Sequence, residues 1–245
     1  MKPLRAIRHR LQPYQVFTCG ALQVQWKRHL DGGGRPFGSQ LVNFCRTAGM
    51  PRQGRVFEWC AGPGFMGFSL LAADLCETLL LADVNPQAIT ACRKTIVTNQ
   101  LQRRVTVLQS NNLQQIPADE SWDLVVGNPP HFVDQHINNL RAYDHDWQLH
   151  RDFFAGLRPH LHQDSVVLLV ENNRGSSAKT FQSMLEEHGL QVVYTTRHTS
   201  QWTTADHYYV IGCMLQGSKA PGWLAGGQDH DFLHEGDEGR QRSGG

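Results

Sequence analysis

Between Arg55 and Cys213 the chain repeats one pattern: a short apolar run, a turn signal, then a segment long enough for a helix. Runs at Arg55–Cys60, Thr78–Ala82, Val105–Leu108, Trp122–Gly127 and Ser165–Glu171 read as strands. In the last of these Val166, Val167, Leu168, Leu169 and Val170 are consecutive and apolar. Such a strand is buried on both faces, as strands are in a parallel sheet covered by helices. Helices are expected at Ser39–Ala48, Phe65–Ala73, Pro86–Asn99, Asp146–Leu157 and Ser177–His188, and Gly189 stops the last of them. Closing strands are expected at Val192–Thr195 and Tyr208–Cys213, with one or two short ones in Gln15–Val24. The pattern predicts an α/β fold, a Rossmann-like, seven-stranded, mostly parallel sheet with helices on both faces and an antiparallel edge strand.

Glycines mark the first strand–helix turn, Glu58-Trp59-Cys60-Ala61-Gly62-Pro63-Gly64, where an open α/β sheet binds its ligands. Gly62 and Gly64 allow a ligand close to the backbone, and Glu58 places a carboxylate at the end of an otherwise apolar strand. Asp83 ends the second strand about 20 residues on, the position from which an acid accepts hydrogen bonds from ribose hydroxyls. It also reads as a helix cap, although Asn85 is better placed for capping. Gly62, Gly64 and Gly67 also satisfy the dinucleotide spacing, so the loop alone does not separate a nicotinamide cofactor from another adenosine-containing one.

A second motif separates them. Asn128-Pro129-Pro130-His131-Phe132 follows the fourth strand of the domain. The proline pair fixes the backbone, so the Asn128 side-chain carbonyl and the Pro129 backbone oxygen become two rigid acceptors for the hydrogens of a planar –NH2 group. Held by both hydrogens, the nitrogen keeps its lone pair toward an incoming electrophile, which is catalysis by positioning and electrostatics. His131 and Phe132 stand where a flat side chain stacks on the substrate plane. The competing reading of Asn-Pro-Pro is a rigid turn and nothing more.

At these residues the chain resembles the class I S-adenosylmethionine-dependent methyltransferases, and within them the N-methyltransferases marked by Asn-Pro-Pro-aromatic. That group contains release-factor glutamine methyltransferases and the amino-methyltransferases of rRNA, tRNA and DNA. The resemblance implies S-adenosylmethionine as cofactor. Glu58, Cys60, Ala61, Gly62 and Gly64 would surround its methionine end, Asp83 its ribose, and Val84 and Asn111 its adenine. Asn128, Pro129, Pro130 and His131 would form the catalytic corner, with Asn128 also touching the cofactor. Asp31, Phe37, His131 and Phe132 are the substrate-side candidates. The resemblance divides the chain into an N-terminal extension and cleft-closing segment (1–50), a cofactor-binding methyltransferase domain (51–216) and a mobile tail (217–245). Three departures stand out: His131 replaces an aromatic residue, Asn111 replaces an acid, and Cys60 replaces a glycine, a change that is tolerable where φ is negative.

The formal net charge of +1 provides no strong field to attract nucleic acid. The expected acceptor is therefore a planar amine or amide nitrogen of a protein, peptide or small molecule. An RNA or DNA base reached across a lip of Arg5, Arg8, Arg10, Lys27 and Arg28 is the first alternative, and a non-catalytic cofactor-binding module the second. His131, His136, His145 and His150 cluster in sequence but match no metal signature, so no metal is expected and they read as solvated loop residues near the cleft. Glu171 ends the fifth strand on the cofactor side, where a cleft role competes with a polar strand exit. The six cysteines form no CxxC pair, and no stretch approaches the 18 apolar residues of a membrane span. A reducing, cytoplasmic setting with no membrane partner follows as an expectation.

Overall fold

The computed structural model describes residues 12–32, 34–133, 143–196 and 208–225. Arg5, Arg8, Arg10 and His136 lie outside them. Strands β1 (Gln15–Cys19) and β2 (Leu22–Trp26) form an antiparallel hairpin. Helix α1 (Arg35–Thr47) follows, and then the alternation proper: β3 (Gln53–Trp59), α2 (Phe65–Ala72), β4 (Cys76–Asp83), α3 (Pro86–Thr98) and β5 (Val105–Gln109). The chain continues through β6 (Trp122–Gly127), α4 (Gln148–Leu157), β7 (Leu161–Asn172), α5 (Ala178–Glu186), β8 (Leu190–Thr196), β9 (Tyr208–Leu215) and α6 (Gly222–Ala225).

The main sheet has seven strands in the order β5-β4-β3-β6-β7-β9-β8. Strands β3 to β7 pair in parallel. The antiparallel strand is β9, which slots between β7 and β8. Strand order reverses between β3 and β6, so the crevice beyond their carboxyl ends is the expected ligand site.

Alternation along each strand sorts side chains between two cores. Val56, Leu79, Leu81, Leu124, Val126, Leu168 and Val170 face one layer, which they share with residues of α1 and α2. Phe57, Trp59, Leu80, Val125, Val167 and Leu169 face the other, with Phe153 and Phe154 of α4 and Phe181 of α5. Burying each such side chain contributes about 1.5–3 kcal/mol. Because the period is two, Glu58, Asp83 and Asn128 share the parity of the first set and Glu171 that of the second.

The segment before β3 belongs to the core. Backbone N–H of Gln25 donates to Thr95 Oγ1 at 2.8 Å, and Asn99 bonds Gln23 through both its Oδ1 and its Nδ2, so the hairpin is fastened to α3. The tail expected from residue 217 begins too early: Leu224 is 1% exposed, and Trp223 lies edge-on to Phe44. Residues 226–245 lie outside the described residues.

Candidate active site

At the carboxyl end of β3 the chain turns sharply. Cys60, Gly62 and Gly64 all have positive φ, of 52°, 53° and 83°. The expectation of negative φ at Cys60 is therefore overturned. The left-handed turn that brings the loop back over the strand end is imposed there on a residue with a Cβ, at a cost of roughly 1–2 kcal/mol. Gly64 is the N-cap of α2 and accepts from Phe68 N–H through its carbonyl.

The first turn of α2 has no capping side chain of its own at Gly64. Glu58 supplies one from the strand: its carboxylate accepts Met66 N–H at 3.3 Å and Gly67 N–H at 2.7 Å. A side chain at Gly67 would collide with Glu58 Oε2 and Leu79. Burial pushes the Glu58 carboxyl up to about 8, with the Asp83 charge adding to the rise and the two N–H donors opposing it.

Asp83 works in a similar way at the end of β4. One carboxylate oxygen accepts Gly62 N–H at 2.7 Å and the other Asn85 N–H at 2.8 Å. Asn85 in turn caps α3 by accepting Gln87 N–H.

Across the crevice β6 ends in Asn128, Pro129 and Pro130. The Oδ1 atom of Asn128 is buried and has no hydrogen-bond partner among the described residues. A Cβ on Gly34 would lie 3.3 Å from its Nδ2, so the backbone just before α1 closes over the amide. Next, His131 is buried, edge-on to Tyr208 with ring centroids 5.6 Å apart. Its Nδ1 lies 3.5 Å from Glu171 Oε2.

These groups enclose one cleft of about 400 Å³. Trp59, Asn112 and Asn128 all line it, and each has a buried polar atom without a hydrogen-bond partner among the described residues. Buried polar groups in proteins are normally satisfied, so this concentration marks a place built for a polar ligand.

The family model of the methyltransferase small domain matches residues 26–199. The chain belongs to that family. A curated relative, the ribosomal RNA small subunit methyltransferase C of Shewanella denitrificans, is 28% identical over 117 residues, 47% of this chain and 30% of its own. The chain thus spans less than a third of that relative. Two solved structures share the fold at 16% identity. One is a 16S rRNA methyltransferase of T. thermophilus with AdoMet and guanosine (TM-score 0.58, covering 83% of this chain and 50% of that one). The other is a glycopeptide N-methyltransferase with S-adenosyl-L-methionine (TM-score 0.55, 73% and 94%).

The family is that of the methyltransferase small domain, and the two solved structures hold AdoMet and S-adenosyl-L-methionine. The cleft suits such a cofactor: glycine backbone on one wall, a strand-end carboxylate beside it, and unmatched polar atoms opposite. Of the residues expected to bind it, Glu58, Cys60, Ala61, Gly62, Asp83, Val84, Asn111 and Asn128 all line the cleft. Gly64 does not line the cleft and acts from beneath as the helix cap.

Pro129, Pro130 and His131 line the cleft as well. The substrate-side expectations fare differently. Phe37 is not a lining residue: it is 3% exposed and packs edge-on against Tyr208, because the apolar face of α1 turns inward. Asp31 also does not line the cleft; it pairs with Arg35 at 3.4 Å, while its neighbours Leu30 and Gly32 supply the wall. Phe132 is edge-on to His131 behind the lining surface.

Met66, Ala88, Asn112 and Leu149 line the cleft without having been singled out from the sequence. Leu30, Gly32 and Gly34, which also line it, belong to the N-terminal segment expected to close over the cleft. Nothing in the sequence marks Leu149. His150 is not a solvated loop residue: it is 0% exposed, with Nδ1 2.6 Å from Asp144 and Nε2 3.0 Å from Glu171. No helix among the described residues is long and apolar enough to cross a membrane.

Proposed function

We propose that this methyltransferase methylates the exocyclic amino nitrogen of a nucleobase in RNA. The observation that carries the reading is the orphaned, buried Oδ1 of Asn128, held beside a proline pair at the cleft wall. An –NH2 hydrogen satisfies it, and the Pro129 carbonyl offers the second acceptor. S-adenosylmethionine supplies the methyl group as a sulfonium electrophile, so the protein's task is to bind, align and shield. Asn128 and Pro129 orient the nitrogen lone pair, and His131 forms part of the wall beside them.

RNA is preferred over a protein or small molecule for two reasons. The curated relative is named for ribosomal RNA. Arg28 and Arg35 are exposed on the segment that contributes Leu30, Gly32 and Gly34 to the cleft, and Arg28 belongs to the basic lip read from the sequence. Phosphate contacts need only such a local patch, whatever the net charge.

The test offers radiolabelled cofactor with three acceptors: small-subunit rRNA transcribed in vitro, total tRNA, and ribosomal protein. Label is expected in an RNA, on a base nitrogen after digestion to nucleosides, and Asn128→Ala is expected to lower it by more than 100-fold. Label in the protein fraction or on oxygen, or an undiminished Asn128→Ala variant, overturns the reading.

A further inference from the structure

Behind the cleft wall lies a chain of ionisable side chains that cofactor binding does not need. It begins at His131, whose Nδ1 faces Glu171 Oε2 at 3.5 Å. The other Glu171 oxygen, Oε1, meets His150 Nε2 at 3.0 Å, and His150 Nδ1 meets Asp144 Oδ2 at 2.6 Å. Asp144 is anchored in turn by the backbone N–H groups of Leu149 and His150. Both Glu171 and His150 are 0% exposed, and His131 is 5% exposed.

Buried ionisable groups are costly to keep and are weak evidence of stabilisation in themselves. Four in a line, ending at the catalytic corner, call for a use. Two carboxylates share one imidazolium between them. Burial alone would drive His150 toward its neutral form, yet Glu171 and Asp144 outweigh it and raise His150 to about 9. Burial also pushes Glu171 up, but His150 and His131 outweigh that and hold it below the usual carboxylate value. Glu171 therefore presents an ionised oxygen to His131 Nδ1. His131 Nδ1 and Glu171 Oε2 face each other at 3.5 Å with no other partner for either atom among the described residues, and His131 lines the cleft.

We propose that Glu171, backed by His150 and Asp144, holds His131 with its proton on Nδ1 and its Nε2 lone pair toward the acceptor, so that Nε2 takes the proton released on N-methylation. The inference rests on the amino-nitrogen reading above. An amino nitrogen that gains a methyl group bears one proton in excess and a positive charge. Its N–H bond breaks, the electron pair stays on nitrogen, and the proton moves to Nε2 and then to solvent. Glu171 stabilises the imidazolium so formed, and Glu171, His150 and Asp144 are positioning residues. The other groups around this line are Tyr208, edge-on to His131, and Cys60 and Tyr209, whose own ionisation burial opposes first and the carboxylates further.

The test is nitrogen-15 NMR of the histidine rings in the full chain. Neutral His131 is expected to carry its proton on Nδ1. In Glu171→Gln the Nδ1-protonated fraction of neutral His131 is expected to fall, and in Asp144→Asn to fall by less. A neutral His131 protonated on Nε2 overturns the proposal, as does an unchanged tautomer ratio in Glu171→Gln. If that variant fails to fold, the wild-type tautomer alone decides. A second readout uses the in vitro rRNA: kcat of the wild type is expected to fall at acid pH and that fall to be absent in His131→Gln, and a retained fall in the variant overturns the proposal. Rejection of every RNA overturns the acceptor class but leaves the tautomer result standing, so the two failures are distinguishable.

Discussion

Asp83 and Gly62 are joined by a 2.7 Å hydrogen bond from the Gly62 backbone N–H to the Asp83 carboxylate, which ties the end of β4 to the loop after β3. The same carboxylate holds Asn85 N–H, so one side chain fixes two walls of the cleft. Asp83→Ala is therefore expected to weaken S-adenosylmethionine binding by 10- to 100-fold in calorimetry. Asp83→Asn should recover only part of it, since an amide oxygen accepts at one position where the carboxylate serves two.

Glu58 ties proton release to cofactor binding. Its folded-state value is raised to about 8 from an ordinary 4.5, so the empty folded protein holds a proton there that the unfolded chain lacks between those two pH values. That stability is fully present below about 4.5 and is lost as pH rises through 8. A cationic ligand in the cleft favours the ionised carboxylate. Cofactor binding at pH 7 is thus expected to release up to one proton, measured as a difference in calorimetric heat between phosphate and Tris buffers. Glu58→Gln should abolish the release.

His150 sets a second pH dependence. Its folded value of about 9 exceeds an ordinary 6.5, so its contribution is complete below 6.5 and disappears as pH rises through 9. The urea midpoint of the wild type is expected to fall across that window. His150→Phe leaves Glu171 and Asp144 buried without their cation, a loss of about 3–5 kcal/mol at pH 6, and flattens the dependence between 6.5 and 9.

Gly175 supports His131 from below. A Cβ there would run into the His131 carbonyl oxygen and lie 2.7 Å from Phe132. Gly175→Ala is expected to lower methyl transfer by at least 10-fold while cofactor affinity stays within about 3-fold, measured by single-turnover transfer and calorimetry.

The strained Cys60 gives a test in the opposite direction. Relief of its positive φ by Cys60→Gly offsets the extra chain entropy of glycine, so thermal stability is expected to hold or rise by up to about 1 kcal/mol. Cys60→Val, with a branched Cβ in that region, should lose 1 kcal/mol or more.

The sheet was readable from the sequence because its parallel strands are short, largely apolar runs, and Glu58, Asp83 and Asn128 announce themselves as polar residues at or near the ends of such runs. Phe37 was misassigned because an aromatic residue beside a glycine loop looks the same whether its helix face turns toward the cleft or the core. The Glu171–His150 contact joins residues 21 apart on β7 and α4, and no local period brings them together. Cys60 showed only its residue type, while its φ is set by the loop that must fold back over the strand. The acceptor class expected from net charge differs from the one proposed from the rim of the cleft, because net charge averages away a local patch.

The position of β9 has a consequence for how the chain comes to be made. Residues 208–215 form hydrogen-bonded ladders with β7 on one side and β8 on the other. A nascent chain that has emerged only as far as β8 has nowhere to put that strand, since the neighbour it needs is not yet translated. The half of the sheet that carries Asp83 and Asn128 can assemble during synthesis, while β8 waits for the ribosome to deliver the strand that separates it from β7.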